Sequence, residues 1–491
     1  MSRARSLFFA LLFLVLPVLA LPLLAEDRDD DSRFETRYGK NFALPAGGRV
    51  TITHGFGDLV IRTHNGNDVQ VRATIRSSDE DLGKKIRITA GPEGGGVSIT
   101  THFPEVRNHR GHLSYSVDMT VTVPANTPVI AENQFGNIDA RGLGGAANLR
   151  NKQGSIKAAD MRGPLTLGNS FGAIEAVNSG SDLTVNNANG AITIRKVEGS
   201  LTAANRFGSV TVTDVRRGAT IANANGAIEA MDIGGTLNAT NNFGSVKAST
   251  IGAATQITTS NARVELSNVQ GPATVKNSFG SVEANNIAGA LTIDGSNSRV
   301  EASTVKGNVT IDNGFGPVKL RGITGSAKIQ NGNGDIVIED LSGALNAVTR
   351  FGAVRAERVR GNVDVNSSNG NVRLTDVGAA KVRATFGAVF VERVNGAIDV
   401  VNSNGAISVS GLRGAGCQPV TLRTNFSSIK VELPEGVGYT VNARTSFGRI
   451  NTELPITTTS ISDETIVGTI GRGGCKLDLA NSNGNITIER D

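Results

Sequence analysis

The sequence predicts an all-β fold: a right-handed parallel β-helix with 18-residue coils, closed at its start by a strand-rich N-terminal cap. Three observations predict it. A Phe-Gly pair returns at Phe135, Phe171, Phe207, Phe243, Phe279, Phe315 and Phe351, each 36 residues after the last, with Phe386 one residue early. An Asn-Gly doublet falls midway between them at Asn189, Asn225, Asn333 and Asn369. The composition is a strand-and-turn vocabulary, with 60 Gly, no Trp and 4% aromatic residues, which suits many tight turns around small aliphatic side chains.

Aligning the two doublets halves the period to 18. One unit reads "NSFGSVEANNIAGALTID" from Asn277, and another "NGNGDIVIEDLSGALNAV" from Asn331. Val282 and Ala284 alternate with polar neighbours, as do Leu291 and Ile293, so each unit holds two short strands with a glycine at each turn. A unit this short buries its apolar side only against the next copy, which is the logic of a solenoid. No helical period recurs, so successive coils should pair in parallel, right-handed by the rule for parallel crossovers. From residue 133 onward about 20 coils would make a rod on the order of 95 Å long.

The first slot of the unit holds Asn133, Asn151, Asn169, Asn187, Asn205, Asn223, Asn241, Asn277, Asn313, Asn331 and Asn402. Stacked in register, their amides are expected to hydrogen-bond to one another along the axis as a ladder. The ladder slips at Thr259, Gly295, Thr349, Ser367 and Ala384. For the Phe slot two readings compete. A phenyl ring is wider than one coil spacing, so it could cover its own turn and part of the next, with the smaller Asn filling the layer between. Alternatively the eight rings form an exposed stripe that stacks on sugars or an apolar partner. Turns obscure strand parity, so the sequence leaves open whether the rings face in or out; the lid is the expectation and the stripe the alternative.

The remaining segments follow in order. Arg3 and Arg5 precede an apolar run from Leu7 to Ala25, followed by "EDRDDD". This reads as a signal peptide over residues 1–25 and an acidic leader over 26–33, with an uncleaved membrane anchor as the alternative. Its removal takes two Arg and no acid, bringing the formal charge from +5 to +3. No Lys/Arg block marks a nucleic-acid partner. Residues 34–130 read as the cap, 131–414 as the regular array, and 415–491 as further coils interrupted by an irregular insertion over 455–475. The only cysteines, Cys417 and Cys475, are expected to form a disulfide, as an exported chain would. Closing a loop of that length contributes about 4 kcal/mol in the chain-entropy picture.

The chain resembles the bacterial putative-adhesin family of β-strand-repeat domains of unknown function. The resemblance rests on "GRVTITHGFGDLVIRTHNG", "VDMTVTVPANTPVIAENQFGNIDA", the repeated "NGAI" and "FGSV" steps and the closing "NSNGNITIER". It implies an exported or membrane-anchored β-helix without an established enzymatic role, and it carries no functional residues over.

Catalytic chemistry is not expected. The histidines are His54, His64, His102, His109 and His112, and "THFPEVRNHRGHLS" matches no standard zinc spacing, so neither metal nor cofactor is expected. The acids Glu175, Glu229, Glu283, Asp335, Glu357 and Asp399 recur singly at outward strand positions, as solubilising decoration would. The expected function is a non-catalytic, monomeric, exported solenoid of the periplasm or cell surface, an adhesin-like or scaffold protein for surface glycans, envelope polymers or proteins. The alternatives are a carbohydrate-active β-helix enzyme and a self-assembling envelope filament.

Overall fold

The computed structural model describes residues 34–106, 113–413 and 416–491. The signal peptide and acidic leader therefore lie outside the described residues, as do His109 and His112. The chain is a β-solenoid of about 17 coils at the ~18-residue spacing. The count of about 20 expected from chain length included residues 434–474, much of which leaves that spacing.

A representative coil shows the construction. Strand Leu183–Asn189 pairs in register with Leu165–Phe171 on one side and Leu201–Phe207 on the other, all parallel. After Gly190 the chain turns into Ile192–Val197, which pairs with Ile174–Ser179 and Val210–Val215 in a second parallel sheet. Alternation puts Leu183, Val185, Ile192 and Ile194 in the core, Val197 joins them after a bend, and the core runs unbroken along the axis between the two sheets.

Two backbone features make the coil close. The first is the turn glycine between the sheets. Gly190 has φ +131, and a Cβ there would lie 2.2 Å from the carbonyl oxygen of Gly172, so only glycine fits. The second is a left-handed residue just before the last core position of the second strand, a bend with no signature in the sequence reading. It is Asp160, Asn178, Lys196, Asp214, Asp232, Thr250, Asn268, Asn286 and Thr304 in successive coils. Asn and Asp tolerate this conformation, and they can ladder there: Asn286 donates to Asn268 Oδ1 at 2.7 Å, and Asn178 to Asp160 Oδ1 at 2.8 Å. Thr250 (φ 58) and Thr304 (φ 57) are β-branched and strained in it. We expect Thr250→Asn and Thr304→Asn each to stabilise the protein by about 1 kcal/mol. A urea midpoint that stays put or falls would show that this bend costs threonine nothing.

The array has two departures from the turn glycine, and they coincide with two gaps in the Asn column. Ala262 and Ser298 replace glycine, and their strands, Thr255–Val269 and Leu291–Val305, run through the corner with these side chains buried. Ser298 Cβ lies 3.2 Å from where a Cβ on Gly295 would sit. The inward serine thus fills space that the missing Asn side chain vacates, and its hydroxyl donates to the Asn277 carbonyl at 3.2 Å.

Both ends are built differently from the array. At the start, Val50–Phe56 and Leu59–His64 form a true coil that pairs in register with Val129–Phe135 and Ile138–Arg141. Gly96–His102 and Tyr115–Pro124 cover its other edges, and Arg87–Glu93, Asp68–Ser77 and Phe34–Ala43 add antiparallel strands outside them. At the other end the final strands are not the last rungs. Cys475–Asn483 inserts between Val420–Phe426 and Tyr439–Phe447, and Ile486–Arg490 likewise between Ile429–Leu433 and Ile450–Thr452. The segment expected to be irregular is instead an antiparallel hairpin, Ile456–Ser462 with Thr465–Ile470, laid against Tyr439–Phe447. The Cys417–Cys475 disulfide, with a Cα–Cα distance of 5.5 Å, joins the entry points of two neighbouring rungs and pins the inserted strand to its register.

Candidate functional site

The Asn column lies inside the coil corner. Asn133, Asn151, Asn169, Asn187, Asn205, Asn223, Asn241, Asn277, Asn313, Asn331 and Asn402 are all buried. Their amides do not chiefly bond one another, as a ladder would require. Asn151, Asn187 and Asn205 donate from Nδ2 to the carbonyls of Gly136, Gly172 and Gly190, the turn glycines of the preceding coils, at 2.8, 3.0 and 3.0 Å. Asn402 does the same to Gly387 at 2.8 Å. The amide thereby satisfies a carbonyl that the turn removes from the sheet. Asn313 does reach Asn331 Oδ1, at 3.2 Å. The column is a structural device that ties each turn to the next.

Its first member is a histidine. His54 pairs with Asn133 across the register and is 1% exposed. Its Nδ1 lies 3.2 Å from Thr101 Oγ1, which already accepts the Gly55 N–H at 3.1 Å. The direction of the Thr101–Nδ1 hydrogen bond follows the imidazole tautomer, since the hydroxyl can donate a proton or accept a second one. Burial pushes the His54 imidazole down to about 4, against a smaller upward pull from nearby backbone carbonyls, Asp118 and Asp58. Among the described residues no group of three or more His, Cys, Asp or Glu side chains is placed to hold a metal ion.

The Phe column lies outside the same corner. Phe135, Phe171, Phe207, Phe243, Phe279, Phe315, Phe351 and Phe386 are 37–56% exposed, so the rings face out. Phe426 and Phe447, beyond the regular array, extend the line. The register alternates along it: Phe171, Asn189, Phe207, Asn225, Phe243, Asn261, Phe279. Even the inserted terminal strand keeps the alternation, since Asn483 falls between Phe426 and Phe447. Neighbouring rings thus stand ~10 Å apart, two coil spacings.

Packing alone does not require that spacing. Phe56 and Phe135 occupy the slot on adjacent rungs, and they stack with centroids 4.7 Å apart and planes 1° from parallel. Two rings on successive rungs are therefore accommodated by stacking on each other. Elsewhere Gln153 or an Asn separates them, and the Asn amide can turn back along the axis: Asn189 donates to the Ser170 carbonyl at 3.3 Å and Asn369 to the Arg350 carbonyl at 3.2 Å. The Asn keeps successive rings from covering each other.

The outward acids are mostly engaged. Glu175 pairs with Arg195, Glu229 with Lys247, Glu283 with Arg263, Glu357 with Arg358 and Asp399 with Arg383. Asp335 Oδ1 accepts the Ala353 N–H at 2.8 Å. Exposed pairs of this kind contribute little stability, but they leave these carboxylates already partnered.

A feature that the sequence reading missed lies on the first sheet beside the Phe line. A groove of about 800 Å³ runs across the coils there, lined by Arg150, Lys152, Gly168, Ser170, Ala188 and Arg206 among others.

These elements define an elongated β-solenoid with a buried Asn column and a regular aromatic line on its surface. Residues 294–489 match the family model described as Toastrack DUF4097, a β-repeat domain of unknown function. The in-register pairing continues upstream of that segment to Val129 without a break in either sheet. No curated protein matches the chain in sequence. Among solved structures, one described as a "putative cell adhesion protein" from Clostridium sporogenes is similar at 8% identity and a TM-score of 0.18, over 93% of this chain and 100% of that one.

Proposed function

We propose that this protein is a non-catalytic, exported solenoid that holds an extended polymer of the cell envelope or surface along its Phe/Asn line, as an adhesin-like or scaffold protein would. The observation that carries this reading is the separation of the rings. Phe56 and Phe135 stack on adjacent rungs, whereas every later ring is kept apart by an intervening Gln or Asn, at the cost of leaving a half-exposed aromatic at every second coil. Rings spaced in this way can each take an apolar face of a repeating chain such as a glycan, with the Asn amides between them in reach of its hydroxyls. The engagement of the outward carboxylates by bases supports a binding role over a hydrolytic one.

The test is binding to an array of glycans and envelope polymers by the native protein and by a variant carrying Phe171→Ser, Phe207→Ser, Phe243→Ser and Phe279→Ser. Because these rings project outward, the variant should fold, with circular dichroism and melting close to native. Its binding should fall at least ten-fold. Native-level binding by the folded variant, or no binding by the native protein, would overturn the reading.

A further inference from the structure

We infer that the groove beside the start of the Phe line is a binding site for an acidic glycan, one whose sugars carry carboxylates. This rests on the polymer-binding reading above and assigns a charge class to the polymer.

One glycine deepens the groove. On the first sheet the outward slot that holds Arg150, and Asn186 two rungs later, holds Gly168 between them. Gly168 has no left-handed φ, and a Cβ there would meet only Arg150 Cγ, at 3.6 Å, so neither backbone conformation nor crowding demands glycine. Its effect is to lower the floor. The neighbouring slot continues the hollow through Ser170 and Ala188, giving a cavity of about 800 Å³, within the size range of small-molecule sites.

The rim is cationic. Arg150 and Lys152 stand on one side of the hollow and Arg206 on the other, with Lys152 and Arg206 three rungs apart, or ~14 Å along the axis. Among the described residues none of the three has a carboxylate within ion-pair distance, in contrast to Arg195 and Arg216 on neighbouring coils, which pair with Glu175 and Glu198. Glu132 is the one acid in the lining. The site therefore carries excess positive charge at both ends of a polar hollow, with Asn186, Thr166 and Ser170 offering hydroxyl and amide groups. Phe171 and Phe207 belong to the same strands as Ser170 and Arg206, so a chain lying in the hollow continues onto the aromatic line. A linear polyanion of flat, hydroxyl-rich units matches all three features: guanidinium and ammonium for its carboxylates, polar floor for its hydroxyls, rings for its apolar faces.

The experiment measures binding of the purified full chain to polygalacturonate oligomers and to neutral xylo-oligosaccharides, each at low and high salt. It compares the native protein with Gly168→Gln, with Arg150→Ser/Lys152→Ser/Arg206→Ser, and with Phe243→Ser/Phe279→Ser/Phe315→Ser, whose changes lie away from the groove. Gly168→Gln should fold, since Arg and Asn occupy the same slot on adjacent rungs. The inference expects polygalacturonate binding that weakens at least ten-fold in both groove variants and falls with salt. Equal binding of both oligomers, unaltered in the groove variants but lost in the Phe variant, would overturn the groove and leave the aromatic line standing. Binding of neither oligomer would overturn the groove inference, while the polymer-binding reading stands or falls on the array. If the triple charge variant does not fold, Gly168→Gln alone decides, and unchanged affinity in it refutes the inference.

Discussion

Gly190→Ala should break the solenoid into two segments that melt separately. The turn at Gly190 has φ +131, and the added methyl would sit 2.2 Å from the Gly172 carbonyl oxygen. That contact is with backbone and not with a side chain that could swing away. Relief requires the corner to open, which also draws the Gly190 carbonyl away from the Asn205 amide that caps it at 3.0 Å. Left-handed strain and a lost buried hydrogen bond together should cost about 3 kcal/mol or more. In a stacked array each coil is held only by its neighbours, so a defect of that size in the interior uncouples the coils before it from those after it. Calorimetry should show two transitions in place of one, and limited proteolysis should cut first between Leu183 and Val197. Ala262→Gly is the matched control, since its corner already runs without glycine and the change should cost only about 1 kcal/mol of chain entropy. A single transition at the native midpoint for Gly190→Ala would mean that the corner tolerates a side chain, and the glycine column would then need another explanation.

The repeat was legible because columns of identical residues survive any uncertainty about where strands begin. Asn187 and Asn205 announce their shared slot by position, and the structure pairs them directly. Orientation was not legible, because one turn residue more or less reverses which side a Phe faces, and the turn at Gly172 lies immediately after Phe171. The left-handed bend was hidden because residues as unlike as Lys196, Thr250 and Asp214 fill it. The groove was hidden for a different reason. Lys152 and Arg206 are 54 residues apart in sequence, and a basic cluster built across rungs leaves no basic run in the chain. The order of the last rungs was also out of reach, since "NSNGNITIER" reads as a coil equally well at the end of the rod or one rung inside it.

His54 should make the native protein acid-sensitive in a way that one substitution removes. Its folded-state value is about 4 and the ordinary value is 6.5. The unfolded chain therefore takes up the proton first as pH falls. The stabilisation is fully present above pH 6.5 and is lost progressively as pH falls toward the folded value. From about pH 7.5 to about pH 4.5 this group alone should remove about 2–3 kcal/mol of stability. The local cause is burial: the ring is 1% exposed, and the upward pull of the Val117 and Gly57 carbonyls, Asp118 and Asp58 is smaller than the cost of desolvating its charge. A second ring proton would place a full charge in a core that offers no carboxylate contact. Asparagine is the natural replacement, because it fills the same slot on the adjacent rung at Asn133, where Nδ2 reaches the Gly57 carbonyl at 3.2 Å. In His54→Asn, urea denaturation at the two pH values should differ by about 2–3 kcal/mol less than in the native protein, with the carboxylate contribution common to both. If native and variant lose the same stability on acidification, His54 is not the buried, neutral first member of the Asn column, and the N-terminal coil must open at a lower cost than its packing implies.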